Sequence, residues 1–174
     1  IKADFHPFVQ GFEHCIEITP KMSFGTGHHA TTRLMMLEML ECSFAGKTVF
    51  DFGTGTGVLA ILSEKLGADK VIAVDNDQWS IENAFENFER NNTQFIKISL
   101  SEHPIQDQQF DILLANINKN VLIEHVQSMH SILKHEGDLI VSGLLSIDFD
   151  DIIQAFSPFF RMVVSKREDQ NWIA

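Results

Sequence analysis

The 174-residue sequence predicts an open, doubly wound α/β sheet. Three observations carry that prediction. Short, continuous apolar runs recur along the chain, as in parallel strands covered on both faces. Amphipathic stretches fill the gaps between them. A glycine loop, DFGTGTGV at 51–58, joins the first apolar run to the first of those stretches. The order is one helix followed by repeated strand–helix units, which is the order of a doubly wound fold.

The elements follow in chain order. Residues 31–41 carry Leu34, Leu37 and Leu40 at helical spacing. KTVFDF (47–52) reads as a buried strand, and 58–66 as an apolar helix with Gly67 as its stop. VIAVD (71–75) is the second strand. Residues 78–90 place Ile81, Ala84, Phe85 and Phe88 on one stripe, with Asp77 as N-cap and Asn91-Asn92 as the end. TQFIKIS (93–99), FDILLAN (110–116) and DLIVSG (138–143) are further strands. Helices at 119–134, with Leu122, Val126, Met129 and Leu133, and at 146–157 complete the alternation. FRMVVSK (160–166) and the terminal NWIA add two strands at one edge. Right-handed crossovers bring the C-terminal ends of the parallel strands to one edge, where ligands bind such sheets.

Composition narrows the class. A 44% hydrophobic content suits one globular domain with a core. No run of about 18 apolar residues is present, and IKADFHPF has neither part of a secretory signal. The start on Ile1 and the end within an apolar stretch suggest a fragment of a longer chain. Cys15 and Cys42 form no disulfide framework, which suits a reducing cytoplasm. A net charge of -11 argues against a phosphate-neutralising face for nucleic acid and suits a basic partner. His28 and His29, with His14 nearby, do not form a recognised metal motif.

The glycine loop is the first chemical signal. Gly53, Gly55 and Gly57 allow a sharp turn and a close approach of backbone to ligand. Their spacing, G-x-G-x-G, is shorter than the dinucleotide fingerprint and is typical of S-adenosylmethionine sites. Asp75, 22 positions after Gly53, ends the second strand and can accept hydrogen bonds from two ribose hydroxyls. That carboxylate supports a nucleoside and leaves S-adenosylmethionine and NAD both open. Asn116 ends the fourth strand at the same edge, where it can orient a substrate amine or cap the next helix. The sequence there is Asn-Ile-Asn-Lys rather than the Asn-Pro-Pro-aromatic of many N-methyltransferases.

FGTGHHATTRL (24–34), DFGTGTGVLAI with VDND, LLANI and the later SGLL together resemble the bacterial ribosomal protein L-eleven methyltransferases, in order and spacing. The FGTG-x-H-x-TT stretch is the most specific part. The resemblance runs from about residue 20 to the end. It implies a seven-stranded, Rossmann-like class I methyltransferase sheet with an antiparallel last strand. It implies methyl transfer from S-adenosylmethionine, leaving S-adenosylhomocysteine, to lysine side-chain amines and an N-terminal amine of the ribosomal protein. It also implies cofactor contacts from Thr32, Gly53, Asp75 and Asn116, with Gly55 in the same loop. Residues 1–20 become the entry from an N-terminal substrate-binding domain, and 21–174 the catalytic domain. Ala30 stands where the family often has Pro.

On this reading the loop at 24–29 folds over the cofactor opposite the loop at 53–57. Asp51 holds the loop or, through water, the cofactor's amino group. Asn116 is the catalytic residue, and no general base is assigned. Three alternatives stand beside it: a methyltransferase for another protein or small-molecule amine, a nicotinamide-dependent oxidoreductase, and a degenerate domain that binds cofactor only as a structural element. Against the second stand the loop spacing and the absence of any Tyr as catalytic acid.

Overall fold

A computed structural model describes residues 1–3, 11, 13–19, 29–104, 107–161 and 167–174. Two short strands, β1 (Lys2–Ala3) and β2 (Glu17–Ile18), pair in parallel at the start. Then follow α1 (Ala30–Glu41), β3 (Thr48–Phe52), α2 (Val58–Lys65), β4 (Lys70–Asp75), α3 (Gln78–Arg90) and β5 (Ile96–Leu100). The second half comprises β6 (Phe110–Asn116), α4 (Lys119–Ile132), β7 (Leu133–Ser142), β8 (Leu144–Leu145), a 3-10 turn (Ser146–Asp148), α5 (Phe149–Phe156), β9 (Glu168–Asp169) and β10 (Trp172–Ile173).

Five strands form an all-parallel sheet in the order β5-β4-β3-β6-β7. The order reverses between β3 and β6, so the crevice of a doubly wound sheet opens there. Alternate side chains of the strands feed two separate cores. Val49, Val71, Ala73, Ile112 and Leu114 pack with α1, α2 and α3. Phe50, Phe52, Val74, Leu113 and Ala115 pack with α4 and α5. Burial on both faces is the reason these strands read as unbroken apolar runs.

The structure departs from the expectations at five points. The main sheet has five strands among the described residues, not seven. The terminal NWIA does form a strand, but β10 pairs antiparallel with β8 and β9 in a separate three-stranded sheet. Of the FRMVVSK strand, 160–161 are not strand and 162–166 lie outside the described residues. On α1, Leu40 is exposed, and the buried face instead includes Thr31 and Thr32.

The fifth departure is on α3. Phe85 is 54% exposed, while Asn83 and Asn87 are buried. Asn87 donates from Nδ2 to the Thr56 carbonyl at 2.9 Å and accepts from the Thr19 N–H, also at 2.9 Å. Asn91 accepts from the Glu17 N–H and donates to the Glu17 carbonyl. An asparagine face of α3 therefore ties the strand β2 and the glycine loop to one helix. Ile16 and Ile18, within the sequence-defined entry segment, are buried in the first core by the same attachment.

Candidate functional site

Every parallel strand delivers its last residue to the same edge. β3 ends at Phe52 and turns through the glycine loop into α2. The Gly53 and Thr54 N–H groups both donate to the Val74 carbonyl of β4, at 2.9 and 3.0 Å. Gly57 has a left-handed φ of 79° and donates to the Thr54 carbonyl. A Cβ there would stand 2.4 Å from Phe88 Cε1, so only glycine lets α2 start against α3.

Asp75 is the second anchor of this loop. Its Oδ2 accepts from the Gly55 N–H at 2.9 Å, and its Oδ1 accepts from the Asp77 N–H at 3.0 Å. Capping of α3 falls to Asp77, whose carboxylate accepts from Trp79 N, Ser80 N and Ser80 Oγ. Asp75 is thus not the helix cap, and its buried carboxylate has acceptor capacity beyond the two backbone donors.

The same division of labour holds at β6. Asn118 caps α4, its Oδ1 accepting from the Val121 N–H at 3.2 Å. Asn116 takes no part in the cap. Its Oδ1 is buried and has no hydrogen-bond partner among the described residues. Phe52 is in register with Val74 on one side and Ala115 on the other. Asp75 and Asn116 therefore flank Gly53 at one level, roughly 10 Å apart at two inter-strand spacings.

A cavity of about 140 Å³ opens at this edge, lined by Phe52, Gly53, Asp75, Ser101, Glu102 and Ile117 among others; of the predicted site residues it takes in Gly53 and Asp75, while Thr32, Gly55 and Asn116 are not in its lining. Gly53 keeps this crevice open. It has a φ of 78°, and a Cβ on it would come within 2.3 Å of Ile117 Cγ2. Ser101, Glu102 and Ile117 escape the sequence reading. Their positions directly after the strands β5 and β6 are the signal that could have found them. A larger cleft, about 390 Å³, lies between β7 and α5, lined by Leu139, Ile152, Phe156 and Ile173 among others. It holds none of the predicted site residues.

Thr32 sits in the first turn of α1, fully buried, with a hydroxyl that has no partner among the described residues. His29 caps that helix: its Nδ1 accepts from the Thr31 N–H, and its ring meets Trp172 edge-on at 4.9 Å between centroids. The proposed covering loop lies outside the described residues, apart from His29. Among the described residues, no three or more His, Cys, Asp or Glu side chains are grouped to hold a metal ion. No helix there is long and apolar enough to cross a membrane.

Asp51 lies beneath the loop, completely buried. Its Oδ2 accepts from Thr54 Oγ1 at 2.6 Å, while Oδ1 has no partner among the described residues. Burial pushes its carboxyl up to about 7, against the opposing effect of the Thr54 hydroxyl. The folded protein thus holds this proton where the unfolded chain, with its ordinary value of 3.8, has released it. Asp51 favours the fold fully below about pH 4 and loses that contribution as pH rises through 7. Asp51→Asn keeps the acceptor for Thr54 and removes the ionisation. It is expected to raise stability above pH 7 by up to about 4 kcal/mol and to flatten the unfolding midpoint between about pH 4 and 7. Parallel curves for the two proteins in chemical denaturation would show that Asp51 is ionised in the fold.

A doubly wound parallel sheet, a short glycine loop at its switch point and a carboxylate on the next strand define the class I methyltransferase fold. A structure of Thermus thermophilus 16S rRNA N2 G1207 methyltransferase, in complex with AdoMet and guanosine, superposes with a TM-score of 0.74 at 18% identity. It covers 87% of this chain and 43% of its own. That likeness shows the fold alone. The family itself is shown by sequence: the profile described as ribosomal protein L11 methyltransferase (PrmA) matches residues 5–174, and the chain belongs to that family. The ribosomal protein L11 methyltransferase of Porphyromonas gingivalis is 36% identical over the whole of this chain, which spans 61% of that protein's length. The crystal structure of a ribosomal protein L11 methylase from Lactobacillus delbrueckii subsp. bulgaricus has a TM-score of 0.91 at 30% identity. It covers 98% of this chain and 89% of its own.

Proposed function

We propose that this chain is the catalytic domain of a cytoplasmic protein N-methyltransferase that uses S-adenosylmethionine to methylate amines of ribosomal protein L11. The acceptors are lysine side chains and the N-terminal amine. Residues 21–174 form the catalytic domain, and 1–20 the entry from a substrate-binding domain. The carrying observation is the sheet register that sets Asp75 and Asn116 on either side of Gly53 at one edge, with Asn116 Oδ1 lacking a partner among the described residues, in a chain of this family.

The residues present fit the cofactor. Gly53 leaves a cradle that a Cβ would close. Asp75 offers a ribose-binding carboxylate already oriented by two backbone amides. Gly55 holds the loop against it. Thr32 brings a buried hydroxyl without a partner among the described residues. S-adenosylmethionine, when bound, supplies an electrophilic methyl group on a sulfonium. The chain's residues do the rest by alignment.

Asn116 accepts an N–H of the acceptor amine at Oδ1, which points the nitrogen lone pair into the crevice. With the cofactor bound, that oxygen would face the positive charge that develops on nitrogen as the N–C bond forms and the S–C bond of the sulfonium breaks, leaving S-adenosylhomocysteine. The amine must arrive neutral, and a desolvated site favours the free base. Its surplus proton passes to water.

The test is transfer of labelled methyl to purified ribosomal protein L11, alongside a basic protein that is not ribosomal. Label confined to L11 is expected. Label on both proteins alike would favour a methyltransferase of broader acceptor range. Hydride transfer with a nicotinamide cofactor, in place of methyl transfer, would overturn the reading.

A further inference from the structure

The parallel sheet also shapes the flank beyond Asn116. β7 ends at Ser142, in register with Asn116. The chain then bends at Gly143, φ 86°, so close to the neighbouring loop that a Cβ there would stand 2.2 Å from the Ile117 carbonyl oxygen. This contact brings the following segment, Leu145 to Asp151, alongside the Asn116–Ile117 end of the site. The crevice itself runs from Asp75 and Ser101 on one side of β3 to Ile117 and Asn118 on the other, so this segment borders its β6 end.

That segment has an unusual surface. Ile147 is 85% exposed at the tip of the 3-10 turn, and Leu145 beside it is 36% exposed. Carboxylates surround them. Asp150 and Asp151 are exposed in the first turn of α5, and Asp148 sits in the turn itself. Asp148 accepts from the Leu145 N–H at 2.9 Å and meets Lys119 Nζ at 2.7 Å. Asp151 meets the same Lys119 at 2.8 Å. One cation thus serves two carboxylates, and Asp150 adds a third. Across β10, which pairs with β8, the strand β9 adds Glu168 and Asp169, with Arg33 bonded to Asp169. The flank is net negative, as is the chain at -11.

Other exposed apolar side chains do not share this position. Trp79 and Phe85 lie on α3 and Leu100 ends β5, the sheet edge on the far side of β4 from the β6 end that carries Asn116. A single exposed isoleucine is ordinary on a protein surface. An exposed isoleucine followed in the chain by Asp148, Asp150 and Asp151, on the flank of the sheet edge that carries Asn116, is placed to meet what is brought to the proposed amine site.

We propose that the segment Leu145–Asp151 is the docking surface for a basic, lysine-bearing segment of the acceptor protein. An apolar side chain of that segment covers Ile147, and flanking cations meet Asp150 and its neighbours. The proposal rests on the amine-transfer reading above. It makes the acidity of the chain a recognition device on the acceptor side.

The test measures binding of purified ribosomal protein L11 to the protein saturated with S-adenosylhomocysteine, by calorimetry at low and moderate salt. The variants are Ile147→Lys, Asp150→Lys, their combination, and Phe85→Lys as a control on the far flank. The double variant is expected to weaken L11 binding about tenfold, with a shallower salt dependence. S-adenosylhomocysteine affinity should be unchanged, and Phe85→Lys should bind L11 as the parent does. Equal L11 affinity in the parent and the double variant would overturn the proposal, as would no binding by the parent. A parent that binds L11 at this surface but transfers no methyl leaves the docking surface standing and removes the methyl-transfer reading.

Discussion

Asp75→Ala is expected to abolish measurable binding of S-adenosylmethionine and S-adenosylhomocysteine. The side chain does two jobs. In the protein alone it holds the Gly55 and Asp77 amides. In the proposed complex it also accepts from the ribose. Each hydrogen bond to a charged group contributes roughly 1.5–3 kcal/mol, so loss of two ribose contacts weakens binding by at least about a hundredfold. The loop effect adds to this, because Gly55 N–H is left without its acceptor and the loop keeps only its Gly53 and Thr54 bonds to the Val74 carbonyl of β4. The prediction therefore has a second part: Asp75→Ala lowers the unfolding midpoint as well. Asp75→Asn separates the two roles only partly. Its NH₂ must face one of two backbone N–H donors, so it too loses an anchor. Calorimetric titration with both adenosyl ligands and NAD, beside thermal unfolding, reads all of this. Adenosyl affinity retained in Asp75→Ala would remove the ribose role and leave Asp75 as a loop anchor alone.

Much of this architecture is legible in the sequence because its signals are local. β6 and α3 occupy the residues expected of them, 110–116 and 78–90. An unbroken apolar run defines the one, and an Asp cap with an Asn stop defines the other. The signal weakens where the decisive partner is distant in sequence. Hydrophobic periodicity puts Phe85 in the core of α3, yet Asn83 and Asn87 lie there. The partners of Asn87, Thr56 and Thr19, come from other parts of the chain. Ser101 and Glu102 become site residues only because β5 lies next to β4, which is a fact of strand order. NWIA is a strand by composition, but its place in a separate sheet depends on β8, 27 residues earlier. Asn116 and Asn118 are the sharpest case. Either residue can cap α4 by sequence, and only the fold gives the cap to Asn118 and leaves Asn116 Oδ1 without a partner among the described residues.

That assignment gives Asn116→Ala its expected effect. Turnover should fall by about 10²–10³-fold, the size found when one oriented group is removed from a site of developing charge. S-adenosylhomocysteine affinity should change far less, because Asp75 and the glycine loop remain. Stability should hold or rise slightly, since the substitution removes a buried oxygen that has no partner among the described residues. A residue with a merely structural role would show the opposite pattern, a lower unfolding midpoint with turnover falling only in proportion to unfolding. Asn116→Asp then distinguishes the two ends of the amide. It keeps an oxygen acceptor but loses the NH₂ donor, and it adds a charge that attracts a protonated amine. If Oδ1 alone orients the acceptor, Asn116→Asp retains more turnover than Asn116→Ala, with an optimum moved to higher pH as the amine is held in its ammonium form. If the NH₂ group is also needed, the two variants fall together. Full turnover in Asn116→Ala would remove this residue from the mechanism and return the alignment of the amine to the crevice walls.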